Sequence, residues 1–286
     1  MVSRDMGAPS PVPSPPRGGE GREWGRYVEL INAQYGGRDL AQSILRRARK
    51  GKPEGVKLSP RDLYLFDQVH TGGVEATREL TAMAGFAAGQ RILDVGCGLG
   101  GSARFLAAEC GCRVTGVDLT DTYVEAARGL TAEVGLGAQA EFHLGDATAL
   151  PPPDASFDGV LLQHCTMNIP DKRCLFGECA RVLRQGGVLA LHEWVKLGGD
   201  PVILPVRWAD TPDINFIASK AEFEQVLAGA GFVAVEVREV SKEGRGWMEA
   251  QAARAESDRA RTLFTNMARN LAEGRAACMM GIYRRS

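Results

Sequence analysis

The stretch ILDVGCGLGGSARFL, residues 92–106, constrains this chain more than any other. Apolar strand formers lead into four glycines within six positions, Gly96, Gly98, Gly100 and Gly101, and a helical pattern opens directly after them. Glycines at such a turn let main-chain amides approach a ligand closely and aim a helix N-terminus at it. The chain is therefore expected to be an α/β protein with a nucleotide-like ligand above this turn.

The pattern on either side extends that reading. Strand signals fall at 91–95, 113–117, 140–144, 157–162, 187–195 and 232–240, with a final apolar strand at about 277–284. Helical periodicity separates them at about 102–110, 121–134, 171–184, 220–229 and 248–272. Strand and helix in alternation predict a doubly wound, mostly parallel sheet covered on both faces. Ahead of it, residues 1–21 are rich in proline, serine and glycine and are read as a disordered tail, because they cannot offset the entropy of ordering. Residues 22–73 read as an N-terminal helical cap, with one helix from Trp24 to Gly36, a second over 39–50, and a third through 61–69. The principal domain is expected over 74–286. The basic run Arg46, Arg47, Arg49 and Lys50 sits where cations complement a helix C-terminus.

A formal net charge of -1 in 286 residues gives no field that favours nucleic acid or an anionic membrane. No apolar run reaches spanning length, and the first residues lack a hydrophobic secretion signal. Seven cysteines, an odd number without zinc-type spacing, read as reduced thiols. A cytoplasmic protein with no metal, acting as monomer or homodimer, is the resulting expectation.

Gly96, Gly98 and Gly101 satisfy G-x-G-x-x-G, which keeps a nicotinamide-dependent oxidoreductase in play. The acids argue otherwise. Asp94 precedes the first glycine by two residues, where a pyrophosphate would meet a carboxylate. Asp118 ends the second strand, placed for the hydroxyls of a ribose, and Asp146 follows the third, placed for an adenine amino group. Together they describe a pocket for adenosine carrying a positively charged tail.

The chain resembles the class I S-adenosylmethionine-dependent methyltransferases from about residue 62 onward, through LDVGCGLGG (93–101), GVDLT (116–120), GDATALPPPDASFDGV (145–160), NIPDK (168–172) and ECARVLRQGGVLAL (178–191). The resemblance implies a seven-stranded sheet with an antiparallel last strand, and S-adenosyl-L-methionine as cofactor. It implies that Gly96 and Gly98 meet the methionine end, Asp118 the ribose, and Asp146 with Ala147 the adenine, with Leu119 packed on the base and Gly100 also among the cofactor-binding residues. Gln163 and His164 end the fourth strand at the cofactor's reactive end. The small-molecule group around sarcosine and dimethylglycine N-methyltransferases is the most similar, through LLQHCTMNIPDKRCLFGECARVL and the C-terminal NMARNLAEGRAACMMGIYRRS. His164 stands where that resemblance leads to an acid, and Asn168 where it leads to a histidine. A histidine steadies an ammonium poorly, so within the expected transfer to an N or O atom of a small metabolite the departure turns from amino-acid amines toward O-methylation or methylation of another small nucleophile.

Transfer of a methyl group from a sulfonium needs mainly an aligned nucleophile at about 3–3.5 Å. His164 is the candidate base, with Glu193 and Trp194 beside it at the end of the fifth strand. His192, opposite in facing to Glu193, and His143 are read as structural. Arg207 and Trp208 are candidates for an acceptor carboxylate and ring, with Tyr27, Tyr35, Gln68 and His70 lining the other side. The irregular 196–219 segment and the N-terminal cap would close over the site as a lid. A small-molecule methyl acceptor, rather than nucleic acid, is the expected partner. A cofactor-binding regulatory protein without turnover is the remaining alternative.

Overall fold

The structure is a computed structural model and describes residues 21–286. Residues 1–20 of the expected tail lie outside the described residues, whereas Gly21 already begins a helix.

The N-terminal region forms α1 (Gly21–Tyr35), α2 (Leu40–Arg49), α3 (Tyr64–Asp67) and α4 (Gly73–Ala84). Alternation then runs through β1 (Arg91–Val95), α5 (Gly101–Glu109), β2 (Arg113–Asp118), α6 (Asp121–Glu133) and β3 (Ala140–Leu144). It continues with β4 (Phe157–Gln163), α7 (Lys172–Val182), β5 (Leu183–Lys196), α8 (Lys220–Gly229) and β6 (Phe232–Glu239). Helices α9 (Ser241–Arg254) and α10 (Asp258–Ala272) precede β7 (Ala276–Arg285).

The seven strands make one sheet in the order β3-β2-β1-β4-β5-β7-β6. Strands β1 to β5 pair parallel, and β7 inserts antiparallel between β5 and β6. The chain runs outward from β1 to β3 and returns to β4, so the crevice of a doubly wound sheet falls above the carboxyl ends of β1 and β4. Leu93 and Val95 of β1 face one apolar layer with Val160, Leu162, Leu189 and Phe176, and Ile92 faces the other with Leu80, Leu106 and Leu161. Each such fully buried aliphatic side chain stabilises the fold by about 1.5–3 kcal/mol. Double-sided cover is why Ile92, Leu93 and Val95 are apolar on both faces of β1.

Four expected elements differ. The helix expected to 184 ends at Val182, and β5 starts at Leu183 rather than 187, because Leu183 adopts extended backbone and pairs with Phe157. The helix expected over 248–272 is two, since Ser257 accepts from the Ala260 amide at 3.2 Å and caps a new start. The helix expected through 61–69 is reduced to a 3-10 turn at 60–62, capped by Ser59 and Asp62, and the single turn of α3.

A third apolar layer joins Ile31 of α1 to Met167, Trp194, Trp208, Met248 and Met267. It roofs the carboxyl edge of the sheet with segments drawn from both ends of the chain.

Candidate active site

The glycine turn is fixed first by its backbone. Gly96 and Gly98 have φ of 69° and 53°, and a Cβ on Gly96 would stand 2.4 Å from that of Cys165. Only glycine takes both the positive φ and the contact. The amides of Gly96 and Cys97 donate to the Val117 carbonyl at 2.8 and 3.1 Å, tying the turn to β2.

Around it stand the acids. Asp118 accepts from the Gly98 amide at 2.8 Å and the Thr120 amide at 2.9 Å. Those two bonds use about half of a carboxylate's four acceptor positions and leave the rest open. Burial raises its pKa, against the pull of those amides. Asp94 is buried, and burial, with Asp118 adding to it, pushes its pKa to about 7. Its Oδ2 has no hydrogen-bond partner. Asp146 accepts from the Thr148 amide at 2.8 Å and its hydroxyl at 2.7 Å. Asp94, Gly96, Gly98, Asp118, Leu119, Asp146, Ala147 and Gln163 all line one cavity, which also takes in Asp67. Gly100 does not line it: with φ of 76° it turns the chain into α5, and a Cβ there would strike Phe142 at 2.7 Å. Its role is packing and turn geometry.

The other half of the cavity is different chemistry. His164 lines it, held at φ of 55°, a strained value for a histidine. The Thr71 amide, which can only donate, reaches His164 Nδ1 at 3.3 Å and leaves the ring proton on Nε2, 3.8 Å from Cys278 Sγ. Cys278 Sγ in turn lies 3.2 Å from His192 Nε2. These three side chains bring ligand-type atoms within 4.8 Å of one another, but the Thr71 amide fits a neutral imidazole network, since a metal on Nε2 requires a proton on Nδ1. Burial, reinforced by His192 and His70, pushes the His164 pKa well below its ordinary value. His70, whose pKa burial lowers to about 4, sits within 6.0 Å of both rings, centroid to centroid.

The roof is knotted at Asn168. Tyr35 donates to its Oδ1 at 2.6 Å and Tyr27 to its carbonyl at 3.0 Å, while its amide donates to the carbonyls of Trp208 and Ile214 at 2.7 and 3.0 Å. One buried residue thus joins α1, the turn after β4 and the 196–219 segment. Tyr27, Tyr35, His70, Arg207 and Trp208 line the cavity. Arg207 is the sole lysine or arginine among its described lining residues, packs over Phe264 at 5.5 Å, and makes no ion pair among the described residues.

Three expected site residues lie behind the wall instead. Glu193 is buried and faces the far side of β5, where it accepts from the amides of Cys165 (3.1 Å) and Thr166 (3.3 Å) and from the Thr166 hydroxyl (2.9 Å). Burial pushes its pKa to about 7. It braces the turn that carries His164 through Cys165 and Thr166 and does not itself line the cavity. Trp194 is buried with its indole nitrogen 3.3 Å from Thr71 Oγ1, backing Trp208 at 5.1 Å between centroids. Gln68 is buried against His70 and Thr77, at 3.0 and 2.9 Å. His192, read as structural, stands against His164 at 4.5 Å between centroids and so shapes the site from behind. Asp67, Thr71, Tyr123, Trp247 and Met248 line the cavity without having been singled out. Of these only Asp67 carried a signal, as an acid within the apolar LYLFDQV run.

A sequence model described as "Methyltransferase domain" matches residues 93–191, the stretch from β1 to β5. The chain is similar to sterol 24-C-methyltransferase of Eremothecium gossypii, 40% identical over 116 residues that cover 41% of this chain and 31% of the relative. It is similar to phosphoethanolamine N-methyltransferase 1 of Zea mays, 31% identical over 169 residues that cover 57% of this chain and 32% of the relative. The chain thus spans about a third of the length of these curated relatives. Geranyl diphosphate C-methyltransferase from Streptomyces coelicolor A3(2), solved with Mg2+, geranyl diphosphate and S-adenosyl-L-homocysteine, shares the fold with a TM-score of 0.71 at 18% identity, over 91% of this chain and 98% of that one. Residues 93–191 thus match a methyltransferase-domain model, on a fold shared with that geranyl diphosphate C-methyltransferase.

Proposed function

We propose that the protein transfers a methyl group from S-adenosyl-L-methionine to an oxygen or other nucleophile of a small, neutral or anionic acceptor. The observation that carries this reading is the polarity of the cavity. Its four acids, Asp67, Asp94, Asp118 and Asp146, gather at the glycine turn and the neighbouring strand ends, whereas the described acceptor half offers Arg207, neutral histidines and aromatic rings. Bound here, the cofactor supplies a methyl on a positively charged sulfur that leaves neutral.

The residues fit that molecule. The two unfilled acceptor positions on Asp118 suit a ribose diol, Asp146 and Ala147 an adenine edge, and the unpartnered Asp94 Oδ2 an ammonium. Arg207 positions an anionic group on the acceptor, with Trp208 and Trp247 as apolar walls. His164 accepts the acceptor's proton at Nδ1, exchanging its long bond to the Thr71 amide for it. A weak base suffices, because a hydroxyl under methylation becomes a far stronger acid than an imidazolium. Residues 22–73 and 196–219 act as a lid latched through Tyr27, Tyr35 and Asn168. Among the described residues no acid lines the acceptor half beside His164, which disfavours cationic amines.

The test is a panel of phenols, carboxylic acids, thiols and amines supplied with methyl-labelled cofactor and read by mass spectrometry. Labelled product from anionic or neutral acceptors, with S-adenosylhomocysteine released, is the expected result. Transfer confined to cationic amines would overturn the acceptor assignment. Cofactor binding without release from any acceptor would favour a regulatory role.

A further inference from the structure

A base can take a proton at Nδ1 only if its own ring proton is held at Nε2. Thr71 alone does not secure that for His164. Its amide donates to Nδ1 at 3.3 Å, but its hydroxyl oxygen lies 3.5 Å from the same nitrogen and can accept a proton from it. The choice therefore falls to the other end of the ring, where Cys278 Sγ stands 3.8 Å from Nε2 and His192 Nε2 lies 3.2 Å from that sulfur. We propose that Cys278 and His192 are positioning residues for His164: with the Thr71 amide they form a one-way chain of hydrogen bonds that keeps the ring proton on Nε2 and Nδ1 available as the base. The inference rests on the role given to His164 above and adds two buried residues to it.

The chain has a direction because its first member can only donate. The Thr71 amide meets the lone pair of Nδ1, so Nε2 carries the proton and directs it at Cys278 Sγ. A thiol has one hydrogen, and with the sulfur accepting from His164 that hydrogen goes to His192 Nε2. His192 then carries its own proton on Nδ1, a buried atom without a hydrogen-bond partner, where the chain ends. Burial raises the Cys278 pKa and lowers that of His192, so the one stays a thiol and the other a neutral ring, as this order of donors requires.

The sheet holds these atoms in place. The His164 amide donates to the His192 carbonyl at 2.9 Å, Cys278 pairs with Trp194 across β5 and β7, and the Cys278 amide donates to Ser241 Oγ at 3.1 Å. Trp194 gives its indole proton to Thr71 Oγ1 at 3.3 Å, which makes that oxygen a poorer competitor for a proton on Nδ1. Hydrogen bonds aligned in one direction polarise one another. When Nδ1 takes the acceptor's proton, the charged ring donates more strongly from Nε2 to the sulfur. One proton moves, from the acceptor to His164, while Cys278 and His192 keep theirs.

Nitrogen-15 NMR of the full chain, labelled at histidine, reads the chain directly and needs no acceptor. At neutral pH His164 is expected to be protonated at Nε2 and His192 at Nδ1, each ring identified by the signal lost on its replacement. The opposite tautomer at either ring would overturn the proposal. Cys278→Ala takes the acceptor from Nε2–H, so His164 is expected to shift toward the Nδ1–H form; with an acceptor found in the panel above, kcat should fall about tenfold while KM and S-adenosylhomocysteine affinity change less than about twofold. Cys278→Ser keeps one donor and an acceptor and is expected to restore the tautomer and bring kcat to within about threefold of the unaltered protein. Undiminished kcat in Cys278→Ala, or equal losses in the two variants, would overturn the positioning role, since packing is reduced alike in both. The expected tautomers without methyl transfer to any acceptor in the panel would instead overturn the function proposed above.

Discussion

The two halves of the cavity are built by different rules. The cofactor half is assembled mainly from consecutive strand ends, β1, β2 and β3, and two of its acids are held by amides two residues on, as Thr120 holds Asp118 and Thr148 holds Asp146. The acceptor half is assembled from α1, the residues after α3, the turn after β4, the 196–219 segment and α9, and its contacts join residues more than a hundred positions apart, such as Tyr35 and Asn168. Short-range construction makes the first half insensitive to how the roof is packed. Long-range construction lets the second half change its acceptor while the sheet stays as it is.

If the halves are separable in this way, substitutions should divide cleanly between them. The largest effect is expected from Asp118→Ala, which removes two preset bonds to the turn and the proposed contacts to the ribose diol; cofactor affinity by calorimetry should fall about 100-fold or more. Unchanged affinity would reject the assignment of this half. Next comes Arg207→Ala, expected to lower kcat/KM for an anionic acceptor by about 10- to 100-fold, the value of a charge-assisted contact, with cofactor affinity unchanged. A parallel loss of cofactor binding would show the halves to be coupled.

A tenfold effect is expected from pH. Asp94 titrates near pH 7 because burial, and then Asp118, disfavour its charged form. The folded state binds its proton more tightly than the unfolded state, so without ligand this group's contribution to stability falls as pH rises from about 4 to 7. An ammonium needs the carboxylate, so cofactor affinity should rise about tenfold per unit up to pH 7 and then level. Calorimetry at pH 6 in buffers of different ionisation enthalpy should record a proton released on binding, and Asp94→Asn should abolish it. The smallest effect belongs to the latch: Tyr35→Phe removes one bond to Asn168 and should cost about 1 kcal/mol in denaturant unfolding, with a few-fold loss in kcat/KM and none in cofactor affinity.

The same division separates what could be read before the fold was known from what could not. Asp94, Gly96, Gly98, Asp118, Asp146 and Ala147 share the cavity as expected, because each sits at a strand end whose position follows from the alternating pattern. Gly100 looks identical to its neighbours in sequence, yet its φ and its contact with Phe142 direct it to packing. Glu193 and Trp194 adjoin His192 at the end of β5, but neither faces the cavity. Consecutive residues of β5 face opposite sides, and what covers each, the turn after β4 over Glu193 and Thr71 with Trp208 over Trp194, is not written in the strand itself.

By itself the chain determined the glycine turn, the strand order's consequences for where acids collect, and a positively charged ligand for them, since these follow from period-two and helical spacing over short distances. Only the tertiary structure decided that Asp67 joins those acids, that Asn168 latches the roof, and that His164 rests between Thr71 and Cys278. These depend on segments far apart in sequence being pressed together by burial, and burial carries no local signature.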